Sequence, residues 1–337
     1  MRTNDWKGWT RRALGGGVAL ALGAAISCSS ATDAGTPGAG GGAASGAGGG
    51  AASGAGGGAA SGTGGILGVD AGGDGGPTEC PNVDILFVID SSGSMADQQQ
   101  SLIASFGGFV AGIQQKLSQT KSYHVGITTT SDYQGNRAGC AEIGNLITQT
   151  SGPLSSATVC TPFASGKAYL DENEPDLALK FACAAKVGTG GSDDERMARA
   201  VMNALEPARN GTGGCNEGFS RPDSLLVLVL ITDEDDVDEG CDPFETCSHG
   251  SGGTPDEWAA TVVAHKGGYA QNIVVLSLLG LKADNACGAV PASKLIGFTN
   301  RFQNSSKGDV CSASFDQFFL DALPVIDTAC VNYVPPR

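Results

Sequence analysis

The chain has 337 residues and carries 35 Asp plus Glu against 20 Lys plus Arg, a formal charge of −15. A surface of that sign repels other polyanions, which excludes nucleic acid and anionic lipid headgroups as electrostatic partners and favours cations. Of the 53 glycines, 21 fall between Ser29 and Glu79, so the foldable part begins near Cys80, and its 258 residues to Arg337 suffice for one large α/β domain.

The N-terminus reads as an export signal over residues 1–27. A basic stretch carries Arg2, Lys7, Arg11 and Arg12, an apolar run follows from Ala13 to Ile26, and then come small residues. The apolar run is 14 residues; at about 1.5 Å per residue it spans roughly 21 Å, short of the roughly 30 Å hydrocarbon core. The junction Ala25-Ile26-Ser27-Cys28 fits ordinary cleavage after Ser27, or processing as a bacterial lipobox with lipidation of Cys28. Cysteine parity favours lipidation. Of eleven cysteines, removing Cys28 leaves ten, all in the foldable part, and an even set suits an oxidised, extracytoplasmic domain. No C-x-x-C pair occurs, so the usual zinc and thioredoxin spacings are missing. The expected placement is the outer membrane or cell surface, with the membrane touched only by the lipid.

Residues 28–79 are Gly/Ala/Ser-rich, and from Gly40 to about Gly62 an eight-residue unit Gly-Gly-Gly-Ala-Ala-Ser-Gly-Ala repeats. With no charge and nothing to bury, the repeat cannot offset the entropy of ordering. It reads as a tether for a folded head, or as low-complexity drift with no required length.

Beyond Cys80, three runs are almost continuously apolar: Val83 to Ile89, Leu225 to Ile231 and Ile273 to Leu279. Such runs suit strands buried on both faces of a parallel sheet. Tyr123 to Thr130 is more mixed and belongs nearer an edge. Helical patterns cover Ala96 to Leu117, Asp193 to Leu205, Pro255 to His265, Pro291 to Phe302 and Phe315 to Ile326. The alternation predicts a doubly wound, Rossmann-like α/β domain, rich in disulfides, with a mostly parallel central sheet flanked by helices over 80–337 and insertions at about 131–175 and 234–253. Ligands of such sheets bind at the carboxyl ends of the strands.

Three loops lie there. The first, Asp90-Ser91-Ser92-Gly93-Ser94, places a carboxylate and two hydroxyls on one side of an extended segment, where they can hold a hard cation or cap the following helix. The second, Gly188-Thr189-Gly190-Gly191-Ser192-Asp193, offers a hydroxyl among glycines, and the third is Thr232-Asp233. Asp-x-Ser-x-Ser after the first strand, a Thr in a Gly-rich loop before a middle helix, and Thr-Asp after a central hydrophobic strand, in that order, resemble the von Willebrand factor type A family over most of Cys80 to Cys330. The resemblance implies a metal-ion-dependent adhesion site at Asp90, Ser92, Ser94, Thr189 and Asp233. It implies a divalent cation there (Mg²⁺ or Ca²⁺, or Mn²⁺) and a protein or matrix partner whose Asp or Glu fills an open coordination position.

One departure is Glu234, where the family usually has Gly. With Asp235, Asp236, Asp238 and Glu239 it could plug the open position, build a second Ca²⁺ site, or form a solvated acidic rim. Because type A domains bring their termini together, the resemblance pairs Cys80 with Cys330. Cys140 with Cys160, Cys241 with Cys247 and Cys287 with Cys311 are local closures, leaving Cys183 with Cys215. His249 beside Cys241 and Cys247 is compatible with a metal site, although a short disulfide loop is the simpler reading; His124 and His265 read as structural. Three histidines, no Gly-x-Ser-x-Gly and no phosphate loop argue against an enzyme. The expectation is a lipid-anchored, cation-dependent adhesion or protein-binding module. Its alternative is a structural or assembly lipoprotein of the envelope, in which the metal only stabilises the fold.

Overall fold

The apolar runs become the middle of a sheet. The structure, a computed structural model, describes residues 80–116, 120–236 and 250–336. The leader, Cys28, the Gly/Ala/Ser repeat, Asp238, Glu239, Cys241, Cys247 and His249 lie outside them. In chain order the strands are β1 (Asn82–Ile89), β2 (Ser122–Thr129), β3 (Leu170–Asp171), β4 (Leu225–Ile231), β5 (Ile273–Leu279) and β6 (Asn304–Asp309). The helices are α1 (Ala96–Lys116), α2 (Leu177–Ala185), α3 (Met197–Ala204), α4 (Pro207–Asn210), α5 (Pro255–His265), α6 (Ser293–Thr299) and α7 (Asp316–Val331).

The six strands lie in the order β3-β2-β1-β4-β5-β6, all parallel to their neighbours except the short β3, which runs antiparallel to β2. β1 registers with β4 from Val83 opposite Leu225 to Ile89 opposite Ile231, so both strands end level. Alternate residues of β1 serve two cores. Val83, Ile85, Phe87 and Ile89 pack with α1, α2 and α7 through Leu102, Phe106, Phe109, Phe181, Phe319 and Ile326. Leu86 and Val88 pack on the other face with α3, α5 and α6 through Val201, Trp258, Leu295 and Phe298. Hence no polar/apolar alternation is visible in the strand sequence: both faces are covered.

β4, β5 and α5 match the predicted bounds. For α5 the reason is local: Thr254 and Glu257 form a capping box and Pro255 occupies the first turn. α2 and β6 carry no strong apolar period. β6 reads Asn-Ser-Ser-Lys-Gly-Asp and forms a polar edge that discourages further pairing.

Four disulfides are described: Cys80–Cys330, Cys140–Cys215, Cys160–Cys183 and Cys287–Cys311. The first and last agree with expectation. Cys140–Cys160 and Cys183–Cys215 do not form, because folding exchanges their partners. The loop after α4 returns against the first insertion, where Leu146 N–H donates to Asn216 Oδ1 (2.8 Å) and Arg137 Nη2 to the Cys215 carbonyl (3.1 Å), setting Cys215 beside Cys140. Lys180 Nζ on α2 donates to the Cys160 carbonyl (2.9 Å), which brings Cys183 to Cys160. Cystines of this number indicate an oxidising, extracytoplasmic setting. Among the described residues, no helix is long and apolar enough to cross a membrane.

At the amino ends of the strands, buried Asp84 accepts from the Arg221 side chain (Nε, 2.8 Å) and backbone (2.7 Å). Lys266 Nζ donates to the Arg221 carbonyl (2.7 Å) and Ser220 Oγ lies 2.7 Å from His265 Nε2. His124 Nδ1 donates to the Phe219 carbonyl (2.8 Å). Both histidines have structural partners.

Candidate metal centre

Asp90 is the first residue beyond β1, and its amide still donates to the Ile231 carbonyl (3.0 Å), so its side chain starts from a fixed point. Both carboxylate oxygens are held. Oδ1 accepts the Ser92 amide (2.7 Å), a local turn typical of Asp, and Oδ2 accepts the Thr232 hydroxyl (2.7 Å). Ser92 Oγ lies 3.2 Å from Ser94 Oγ, and Ser94 Oγ donates to Asp233 Oδ1 (3.1 Å). Asp90, Ser92, Ser94 and Asp233 are therefore one chain of oxygens spanning the carboxyl ends of β1 and β4. Burial pushes the Asp90 carboxyl well above its ordinary range, opposed by the Ser92 and Thr232 hydrogen bonds, and burial also raises Asp233.

Thr189 lies in the loop before α3. Its amide donates to the Pro153 carbonyl (2.9 Å), and among the described residues no hydrogen bond ties its hydroxyl to the four oxygens. The loop is set by its neighbours. Gln99 Nε2 on α1 bridges the carbonyls of Asp90 (3.0 Å) and Gly188 (2.9 Å), and its Oε1 accepts the Gly188 amide (3.0 Å). Gly188 takes φ +85°, and Gly191 donates to the Ser91 carbonyl (2.8 Å) at a place where a Cβ would lie 2.2 Å from Ser91 Oγ.

The same segment delivers Glu195, which sequence reasoning missed. Carboxylate oxygens of Asp90, Glu195 and Glu234 all lie within 4.8 Å of one another. Glu195 is 1% exposed, and its carboxyl is hydrogen-bonded to that of Glu234. Burial, then the nearby Asp90 and Glu234, push its carboxyl far above the ordinary range. Its one sequence signal was the acidic run Asp193-Asp194-Glu195 before a helix, which reads equally as ordinary first-turn acids. Gln99 left no sequence signal, since a polar residue inside an amphipathic helix names no partner.

The remaining acids separate. Glu234 turns inward. Asp235 accepts the Lys294 (2.9 Å) and Leu295 (3.1 Å) amides at the start of α6. Asp236 accepts the Ala198 amide at the start of α3 (2.7 Å), together with the amide (2.7 Å) and hydroxyl (2.6 Å) of Ser251. Both are buried, so they are neither a solvated rim nor directed at Asp90. Their carboxylates cap two helices, where the macrodipole favours negative charge.

Three carboxyl groups brought this close together make a cluster that is costly to ionise fully. A hard cation relieves that cost, and carboxylate with hydroxyl oxygen, the donor set among the described residues, is what Mg²⁺, Ca²⁺ or Mn²⁺ takes. The buried triad Asp90, Glu195 and Glu234 could hold such an ion.

No protein-family model matches the chain. No curated protein matches it either. Among solved structures it is similar to proximal thread matrix protein 1 of the mussel byssus, at 16% identity over 75% of this chain and 49% of that one, with a TM-score of 0.37. It is also similar to the human COPII-coat protein Sec24c, at 10% identity over 74% of this chain and 32% of that one, with a TM-score of 0.35. The chain thus spans about half the length of the first and about a third of the second. At such scores the site rests on its own geometry.

Proposed function

We propose that the folded part is a doubly wound type A domain of an exported, Cys28-anchored envelope protein, acting as a binding or assembly module whose crown of loops is set by a divalent cation. The observation that carries this reading is the gathering of Asp90, Ser92, Ser94, Asp233, Glu195 and Glu234, supplied by three separate loops, at the carboxyl edge of the sheet. That edge is where open parallel sheets bind ligands. The first insertion borders it through Pro153, which accepts from Thr189, so the cation and the insertion would shape one surface.

Two roles for the ion follow. In the first it stabilises the crown and the partner reads the loops. The inward turn of Glu234 supports this, because that carboxylate fills the position an incoming acid would need. In the second the ion bridges to an Asp or Glu of a protein or matrix ligand. The neutral Ser92 and Ser94 hydroxyls support that, since they leave a cation able to attract another acid.

Capture from the native envelope with the lipidated protein tests the proposal. Partners should be retained with Ca²⁺ or Mg²⁺, lost in EDTA, and lost again with Asp90→Ala that remains folded. Identical capture under all three conditions overturns it.

A further inference from the structure

A cleft of about 600 Å³ opens in the first insertion and contains none of the residues of the crown. Three stretches of chain wall it: Arg137, Thr148 and Gln149; then Thr161, Pro162 and Lys167 before β3; then Gly213, Gly214 and Glu217 after α4. The exchanged disulfides bring these stretches together, since Cys140–Cys215 fastens the first to the third and Cys160–Cys183 ties the second to α2. Hydrogen bonds then fix each wall. Asn136 Oδ1 accepts the amides of Arg137 (2.9 Å) and Thr148 (3.1 Å), and Lys180 Nζ donates to the Pro162 carbonyl (3.1 Å). Glu217 accepts the Gly213 amide (2.9 Å) on one oxygen and Lys167 Nζ (2.6 Å) on the other, which joins the second wall to the third. The result is a preformed concavity of the size that small-molecule sites have.

Its chemistry is two-sided. Arg137 uses one donor, on the Cys215 carbonyl (3.1 Å), and among the described residues nothing accepts from its Nε or Nη1. Arg137 and Lys167 outnumber Glu217, a local excess of positive charge in a chain of formal charge −15. A cleft focuses such a field, and a guanidinium fork matches a carboxylate. Acceptors stand beside these cations. Gln149 gives its Nε2 hydrogens to the carbonyls of Gly135 (3.3 Å) and Asn136 (3.2 Å), which leaves Oε1 to accept, and the Thr161 hydroxyl adds another acceptor. Pro162 and Ala168 supply carbon surface between them. An acid that also carries several hydroxyls on a C–H framework satisfies all three features. We propose that this cleft binds a carboxylate-bearing saccharide of one or two rings, with its acid at Arg137, hydroxyls on Gln149 and Thr161, and a ring face against Pro162. The site needs neither the cation of the crown nor its partner.

Calorimetric titration of the full chain with three probes tests this: the disaccharide of glucuronate and glucose, neutral cellobiose of the same size, and succinate, an acid with no sugar body. The glucuronate disaccharide should bind about tenfold or more tighter than either of the others, and equally with and without EDTA. Arg137→Gln should lower its affinity about tenfold and leave cellobiose unchanged, because a charge-assisted pair is removed. Thr161→Val, close in shape to the native side chain, should weaken both sugars and spare succinate. In the unaltered protein the disaccharide should shift the amide resonances of Gly213 and Gly214 and leave those of Ser92 and Ser94 in place, a readout that needs no variant. Succinate binding as tightly as the disaccharide reduces the cleft to an anion site and overturns the saccharide; cellobiose binding as tightly overturns the role of the acid. Affinity that survives Arg137→Gln, that is lost in EDTA, or that shifts only the crown resonances puts the ligand elsewhere and overturns the site. Absence of binding by all three probes at millimolar concentration overturns the proposal as a whole.

Discussion

The Thr232 hydroxyl donates to Asp90 Oδ2 at 2.7 Å across 142 residues of sequence, at the level where β1 and β4 end together. It is a charge-assisted bond between buried groups, and Thr232 itself is held by its amide on the Leu278 carbonyl (3.2 Å). Thr232→Val keeps the shape and removes the donor. The expected loss is about 1.5 to 3 kcal/mol in urea unfolding of the cation-loaded protein, with Thr232→Ser retaining most of the stability.

Gly191 marks how closely the Gly-rich loop approaches the loop after β1. A methyl group there would lie 2.2 Å from Ser91 Oγ and 2.8 Å from the Ser91 carbonyl. Gly191→Ala is expected to destabilise by about 1 to 3 kcal/mol and to reduce the melting-temperature rise on adding Ca²⁺, because the loop that delivers Glu195 is displaced. Gly93→Ala, which meets nothing within 4 Å, is the control that should keep the rise.

Asp235 belongs to α6 and not to the ion. Asp235→Ala should cost about 1 to 2 kcal/mol, the usual price of a helix cap, while the Ca²⁺ titration stays unchanged. A loss of Ca²⁺ affinity in this variant would count against the separation of the acidic run into caps and site.

His265 supplies a pH dependence of known sign. Burial, then the neighbouring Lys266 charge, lower its pKa from 6.5 to about 4. The folded state therefore leaves the ring neutral while the unfolded chain takes up a proton below about 6.5. The contribution is complete above about 6.5 and is lost as pH falls toward 4. Urea unfolding at pH 7 and pH 4.5 should show the wild type losing more stability than His265→Gln. The excess is set at about 1 kcal/mol, because the half-buried ring is partly screened.

Non-reducing peptide mapping should recover Cys140 linked to Cys215 and Cys160 linked to Cys183. Replacing both Cys80 and Cys330 by Ser opens a separation of 250 residues and should cost about 4 kcal/mol or more, exceeding the loss from opening Cys160–Cys183 with its separation of 23.

By itself the sequence determined the central strands and the two loops that end β1 and β4. Runs such as Leu225–Ile231 and Ile273–Leu279 have one low-energy place, the middle of a sheet covered on both faces, so local composition sufficed. Asp90, Ser92, Ser94 and Asp233 were legible for a related reason: each lies within five residues of such a strand end, and the paired register brings the ends level. The tertiary structure alone decided that Glu195 comes to the same place. Spacing singled out Thr189 in the middle loop; the bridge from Gln99, the positive φ of Gly188 and the contact of Gly191 with Ser91 hold that loop against the end of β1, and Glu195, six residues on, lies near Asp90. The same holds for Asp235 and Asp236, drawn to the amides of α6 and α3, and for Cys140 and Cys160, whose partners arrive by loop packing and not by nearness along the chain. Side-chain direction in loops is set by hydrogen bonds to distant elements, and those partners do not exist until the sheet has assembled.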